Sequence, residues 1–92
     1  MASGDVTNNR AENRYELAVD GQLAIAEYVV KGERIVFTHT EVPDALEGRG
    51  IGSALVRGAL DQARGDGLKV VPACPFVRAY IERHEEYRDL LA

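Results

Sequence analysis

Apolar and polar residues alternate along Arg14-Tyr15-Glu16-Leu17-Ala18-Val19 with the two-residue period of a half-buried strand. Asp20-Gly21 follows, a strong signal for a two-residue hairpin turn, and the chain returns over residues 22–31 through Leu23, Ile25 and the run Tyr28-Val29-Val30. Gly32-Glu33 marks a second hairpin. Beyond it, Arg34-Ile35-Val36-Phe37-Thr38-His39-Thr40-Glu41-Val42 is rich in β-branched and aromatic residues and ends at Pro43, as a strand leaving its sheet would. The three segments predict an antiparallel three-stranded meander.

From residue 51 the period lengthens to that of a helix, with Ile51, Leu55 and Ala59 on one stripe and Val56, Leu60 and Ala63 beside it. Gly58 breaks the helical propensity of residues 51–64 at a cost of up to about 1 kcal/mol against Ala, which predicts close packing of helix on sheet. Gly65 and Gly67 supply a stop signal. Lys69-Val70-Val71-Pro72-Ala73-Cys74 then gives a fourth strand broken by Pro75, Phe76, Val77, Tyr80 and Ile81 have helical spacing, and Tyr87-Arg88-Asp89-Leu90-Leu91 adds a short terminal helix. The expected fold class is α/β (α+β), a meander followed by helix, strand and C-terminal helices. Residues 1–12 are polar with almost no apolar anchor and are expected to be a disordered tail, leaving residues 13–92 as a single small domain.

Size and charge narrow the function classes. A chain of 92 residues buries only about 60 to 65% of its unfolded surface, room for one sheet and two or three helices. No apolar run approaches the roughly 20 residues of a membrane span and the N-terminus lacks a signal-peptide core, so a cytoplasmic protein without a membrane partner is expected. The net charge of −4 and the scatter of its 11 basic residues argue against a nucleic-acid partner and mildly favour a cationic acceptor such as an amine. One cysteine and two distant histidines give neither a disulfide nor a metal cluster, so no metal is expected.

The candidate chemistry lies in Glu47-Gly48-Arg49-Gly50-Ile51-Gly52-Ser53, three alternating glycines set against the start of the helix. Amides at a helix N-terminus have no partner inside the helix, sit at the positive end of its dipole, and next to glycine can be approached closely by a phosphate. Glycines also serve ordinary tight turns. A P-loop would need Gly-Lys-Ser/Thr at the helix start, whereas Gly52 is followed by Ser53 and Ala54. A Rossmann site would need a third glycine where Ser53 stands and a carboxylate ending the next strand, and neither is present.

The order strand, glycine turn, helix resembles the GCN5-related N-acetyltransferases, whose Arg/Gln-x-x-Gly-x-Gly/Ala signature falls where this chain has Glu47-Gly48-Arg49-Gly50-Ile51-Gly52, with Glu47 in the place of Arg or Gln. His39-Thr40-x-Val42, Val71-Pro72-x-Cys74-Pro75-Phe76 and Arg83-His84-x-x-Tyr87 look like its very small YjdJ-type branch. The likeness spans roughly residues 14–91. It implies a minimal form of that family's fold and an acetyl-CoA-dependent acyltransferase, with acetyl-CoA as co-substrate and an amine, such as a protein side chain or terminus, as acceptor. The two helices that wall the acceptor site in larger members have no room at Asp20-Gly21, so an open acceptor site is implied. The resemblance further assigns Val42 as a backbone contact to the pantetheine arm, and Arg49, Gly50, Ile51, Gly52 and Ser53 as amide donors to the pyrophosphate.

For catalysis, transfer from a thioester to an amine needs a polarised carbonyl, a neutral amine held close and a route for the proton. His39 and Glu41 are the nearest base candidates. Alternation sets them on one face of their strand and Thr40 and Val42 on the other, unless a bulge re-aims them. The resemblance places the Cys74 sulfur toward the acetyl group, either as a nucleophile forming a transient acetyl-cysteine or as a packing or donor group in direct transfer. A non-catalytic CoA-binding sensor or subunit of a complex is the competing class.

Overall fold

A computed structural model describes residues 5–92. Five strands, β1 (Thr7–Asn9), β2 (Arg14–Val19), β3 (Gln22–Lys31), β4 (Arg34–Glu41) and β5 (Lys69–Pro72), form one sheet in that spatial order. Helix α1 (Ile51–Gly65) joins β4 to β5 and α2 (Pro75–Arg83) follows, with 3-10 turns at Asp44–Leu46 and Glu85–Leu90. Strands β1 to β4 are antiparallel, while β5 runs parallel to β4. This is the α/β arrangement expected from the sequence.

Both hairpins form where their turn residues sit. Asp20 and Gly21 have φ of 51° and 75°, the primed turn geometry that follows the twist of paired strands. Alternation decides what each strand buries. Tyr15, Leu17 and Val19 of β2, Ala24, Ala26 and Tyr28 of β3, and Ile35 and Phe37 of β4 share one face. Leu55, Val56, Ala59, Leu60 and Ala63 of α1 and Val77, Tyr80 and Ile81 of α2 join them in one core, in which each fully buried large apolar side chain contributes about 1.5 to 3 kcal/mol. The opposite face carries rows such as Arg14, Glu27 and His39.

The N-terminal segment departs from the expected tail. Thr7–Asn9 is strand β1, paired with β2, so the antiparallel part of the sheet has four strands and the ordered domain begins before residue 13. Its anchors are mostly polar, and two of the three come from far along the chain. Tyr28 Oη donates to Asn8 Oδ1 at 2.6 Å, Asn9 Nδ2 donates to Glu16 Oε2 at 2.9 Å, and Gln62 Nε2 donates to the Val6 carbonyl at 2.7 Å. None of these leaves an apolar period to read. Residues 1–4 of that expected tail lie outside the described residues. The same segment supplies the nearest neighbour of Gly58, Val6, the residue directly before β1: a Cβ there would stand 2.5 Å from Val6 Cγ2.

A β-bulge fixes which side of β4 faces the helices. Tyr28 pairs with Phe37 but Glu27 pairs with His39, so Thr38 is the extra residue. Past it, Thr40 falls opposite buried Ala26 on the helix-covered face, and His39 and Glu41 fall opposite Glu27 and Ile25 on the other.

Candidate functional site

A cleft of about 510 Å³ opens where β4 and β5 part. The parallel ladder ends at Phe37 and Pro72, the Cys74 amide adds a last link to the Phe37 carbonyl at 2.8 Å, and β4 runs on to Glu41 without a β5 partner. Thr40 and Val42 line the cleft from the end of β4, Leu46, Glu47 and Gly48 from the loop, Gly50, Ile51, Gly52 and Ser53 from the start of α1, and Phe76 from α2.

The N-terminus of α1 is built to stay open. Gly50 is its cap residue with φ 73°, Gly48 precedes it at 81°, and no side chain caps the helix. Both conformations disfavour any residue with a Cβ. The Ala54 amide closes the first helical bond, to the Gly50 carbonyl at 3.0 Å, so the amides of Ile51, Gly52 and Ser53 have no acceptor within the helix. Among the described residues, no heavy atom beyond the glycine and its chain neighbours lies within 4 Å of where a Cβ on Gly48 or Gly50 would stand, and α1 carries no acidic residue in its first turn. Such a turn can hold an anion.

Gly52 has a second constraint. It is buried, and a Cβ on it would stand 2.7 Å from Phe76 Cζ and 3.3 Å from Val42 Cγ2. The Phe76 ring therefore leans over the first turn of α1 because position 52 is glycine.

Arg49 is less available than its place in the motif implies. Its guanidinium turns to the β2–β3 hairpin and pairs with Asp20, Nη1 to Oδ2 at 2.8 Å, leaving only its amide on the glycine loop. The Glu47 carboxyl, meanwhile, belongs to a residue that lines the cleft.

Cys74 does not line the cleft. It is 4% exposed within the core, and its Sγ lies 3.3 Å from Thr40 Oγ1, a contact in which either atom can donate. Thr40 thus stands between the sulfur and the cavity. Burial pushes the thiol up, but the Thr40 hydroxyl together with the amides of Val77, Phe76 and Thr40 outweighs it, and the thiol ends below its ordinary value. The sulfur closes no cap hydrogen bond on α2, so the Phe76 and Val77 amides act on it as dipoles at the positive end of that helix.

His39 is not brought to this place, since it stands exposed on the opposite face of the sheet beside Glu27. His84 lies beyond the far end of α2, with its ring stacked on Tyr80 at 3.9 Å and Nδ1 2.8 Å from the Tyr80 carbonyl, which fixes the C-terminal turn. The site thus gathers Val42, Gly50, Ile51, Gly52 and Ser53 as the sequence implies, and adds Thr40, Leu46, Glu47 and Phe76. Thr40 and Phe76 stand inside recognised sequence blocks, but only the bulge at Thr38 and the gap at Gly52 aim them at the cleft. Among the described residues there is no cluster of three or more potential metal ligands and no helix long and apolar enough to cross a membrane.

Residues 14–90 match the profile of the GCN5-related N-acetyl-transferase family. The chain is 34% identical over 82 residues to Protein NATD1 of Mus musculus, an alignment covering 86% of this chain and 74% of that protein. It is equally similar to Protein NATD1 of Homo sapiens, and 26% identical over 90 residues to that of Danio rerio, covering 91% and 81%. The solution NMR structure of a GCN5-like candidate N-acetyltransferase from Staphylococcus aureus superimposes with a TM-score of 0.73 at 28% identity, covering 100% of this chain and 91% of that one.

Proposed function

The chain belongs to the GCN5-related N-acetyltransferase family, and from that premise we propose that it transfers an acetyl group from acetyl-CoA to a primary amine in the cleft between β4 and α1. The observation that carries this reading is the uncapped, glycine-lined N-terminus of α1 opening into that cleft. The amides of Arg49, Gly50, Ile51, Gly52 and Ser53 are the proposed donors to the pyrophosphate, and the backbone at Val42 is the proposed guide for the pantetheine arm. Because the Arg49 guanidinium is held by Asp20 and Glu47 is acidic, the helix end itself carries most of the attraction.

The amine is proposed to attack the thioester directly. Cys74 lies behind Thr40 and would have to change places with it to form an acetyl-cysteine, and His39 faces away from the cleft. What the chain supplies is then orientation and a route for the proton. Asp20-Gly21 joins β2 to β3 without an intervening wall, which suits an acceptor as large as a protein side chain or terminus.

One observation favours the alternative, a CoA-binding module without transfer: among the described lining residues Glu47 is the only ionisable one, and no histidine reaches the cleft. Incubation with acetyl-CoA and lysine-bearing peptides, followed by mass spectrometry, separates the two. Acetylated peptide with free CoA is the expected result. Bound but unconverted acetyl-CoA would contradict transfer and leave the module.

A further inference from the structure

We propose that the Thr40 hydroxyl relays a proton between the buried Cys74 thiol and the leaving sulfur of the acyl donor, making Cys74 a general acid and not a nucleophile. This rests on the acetyl-transfer reading above. The geometry behind it is one contact with two sides. Thr40 lines the cleft, Cys74 does not, and the two side chains meet at 3.3 Å. A hydroxyl can donate and accept at once, so it can pass a proton where the sulfur cannot make direct contact.

The step balances with the groups present. As the amine nitrogen forms its bond to the acetyl carbon, the C–S bond breaks and the CoA sulfur leaves with the electron pair. The Thr40 O–H proton goes to that sulfur, and the Cys74 S–H proton replaces it on Thr40 Oγ1, leaving a thiolate. The surplus proton on the new amide nitrogen returns along the same hydroxyl to Cys74. One N–H and one C–S bond are exchanged for one C–N and one S–H bond, and the protein ends as it began.

The surroundings of the sulfur suit this role. The groups acting on it are the Thr40 hydroxyl and amide from β4 and the Phe76 and Val77 amides from α2; among the described residues no carboxylate, imidazole or cation does so. They favour the thiolate, as an acid exchanging protons with another thiol near neutral pH requires.

The test compares the parent with Thr40→Val, which keeps shape and strand preference but loses the hydroxyl, and with Thr40→Ser, which keeps the hydroxyl. Cys74 is the only cysteine in the chain, so its ionisation is read from thiolate absorbance against Cys74→Ala in the protein without ligand. Turnover is read as CoA release from acetyl-CoA with a lysine-bearing peptide as probe. In Thr40→Val we expect the thiolate to appear at higher pH, kcat to fall by about tenfold to 100-fold with KM little changed, and the low-pH limb of the rate profile to move. Thr40→Ser should recover kcat to within about threefold, since its hydroxyl can make the same two bonds. An active parent whose Thr40→Val variant turns over equally fast would overturn the relay alone. A parent that binds acetyl-CoA but converts none of it would overturn the transfer reading and the relay with it. A thiolate titration that moves in Thr40→Val alongside an unchanged rate would reduce Thr40 to a packing neighbour and would also count against the relay.

Discussion

Val6 occupies the space that a side chain on Gly58 would need: a Cβ on that glycine would come within 2.5 Å of Val6 Cγ2 and 2.6 Å of Val6 Cβ. The polar N-terminal segment and the glycine inside α1 are therefore parts of one joint, closed by the Gln62 side chain on the Val6 carbonyl. Gly58→Ala should gain up to about 1 kcal/mol in helix propensity and lose more by expelling Val6, for a net cost of about 1 to 2 kcal/mol. In a Val6→Gly background the clash is gone and the same substitution should stabilise. A double-mutant cycle in urea checks this, with a coupling energy of at least about 1 kcal/mol expected. Additive effects would mean that the segment does not dock there.

Tyr15 gives a second expectation. It is fully buried, its hydroxyl finds no partner among the described residues, and burial, aided by Tyr28 and Asp66, pushes its pKa up to about 12. Tyr15→Phe removes an unpaired polar group, so it should raise stability at neutral pH by about 1 kcal/mol. A phenol raised in the folded state contributes fully below the unfolded value near 10 and loses that contribution as pH climbs through about 12, a change of roughly 2 to 3 kcal/mol. The advantage of Tyr15→Phe should therefore grow between pH 10 and 12. Denaturant melts at pH 7 and pH 11.5 read it, and a variant less stable at both would show that the hydroxyl is satisfied.

What the sequence showed and what it hid follow from how far each signal reaches along the chain. The Asp20-Gly21 and Gly32-Glu33 turns and the stripe from Ile51 to Ala63 depend on neighbours within a few residues, and each lies where expected, whereas β5 ends at Pro72, two residues short of the expected Cys74, and Pro75 opens α2. Strand β1 was hidden because its anchors are polar: Asn8 is held by the Tyr28 side chain, 20 residues on, and Asn9 by that of Glu16, with no apolar period between them. In the cleft, the glycines were legible as a turn. The bulge at Thr38, which turns His39 away and Thr40 inward, leaves no mark in composition or period. Neither does the ion pair that draws Arg49 to Asp20.

That ion pair supports a third expectation, resting on the proposed pyrophosphate site. Both side chains are largely exposed, so breaking the pair should cost at most about 1 kcal/mol. Asp20→Asn keeps a residue tolerant of positive φ and frees the Arg49 guanidinium beside the glycine loop. Affinity for acetyl-CoA should rise by about two- to fivefold in dilute buffer and return to the parent value near 1 M salt, where screening reaches about 3 Å. Calorimetry at the two salt concentrations reads it. Unchanged affinity in dilute buffer would place the phosphates beyond the reach of Arg49.

The open N-terminus of α1 is proposed to bind acetyl-CoA, and thermal unfolding with and without that ligand reads this binding. A ligand at about 100 times its Kd adds about 2.7 kcal/mol, which in a domain of this size raises Tm by roughly 10 to 20 °C. Gly52→Ala serves as the internal control, because its added Cβ displaces Phe76 and presses on Val42 at the mouth of the cleft, and most of the shift should vanish with it. A large, saturable rise in Tm is expected for the parent and little for the variant; no rise at millimolar acetyl-CoA, or an equal rise in both, would rule out binding at this helix end.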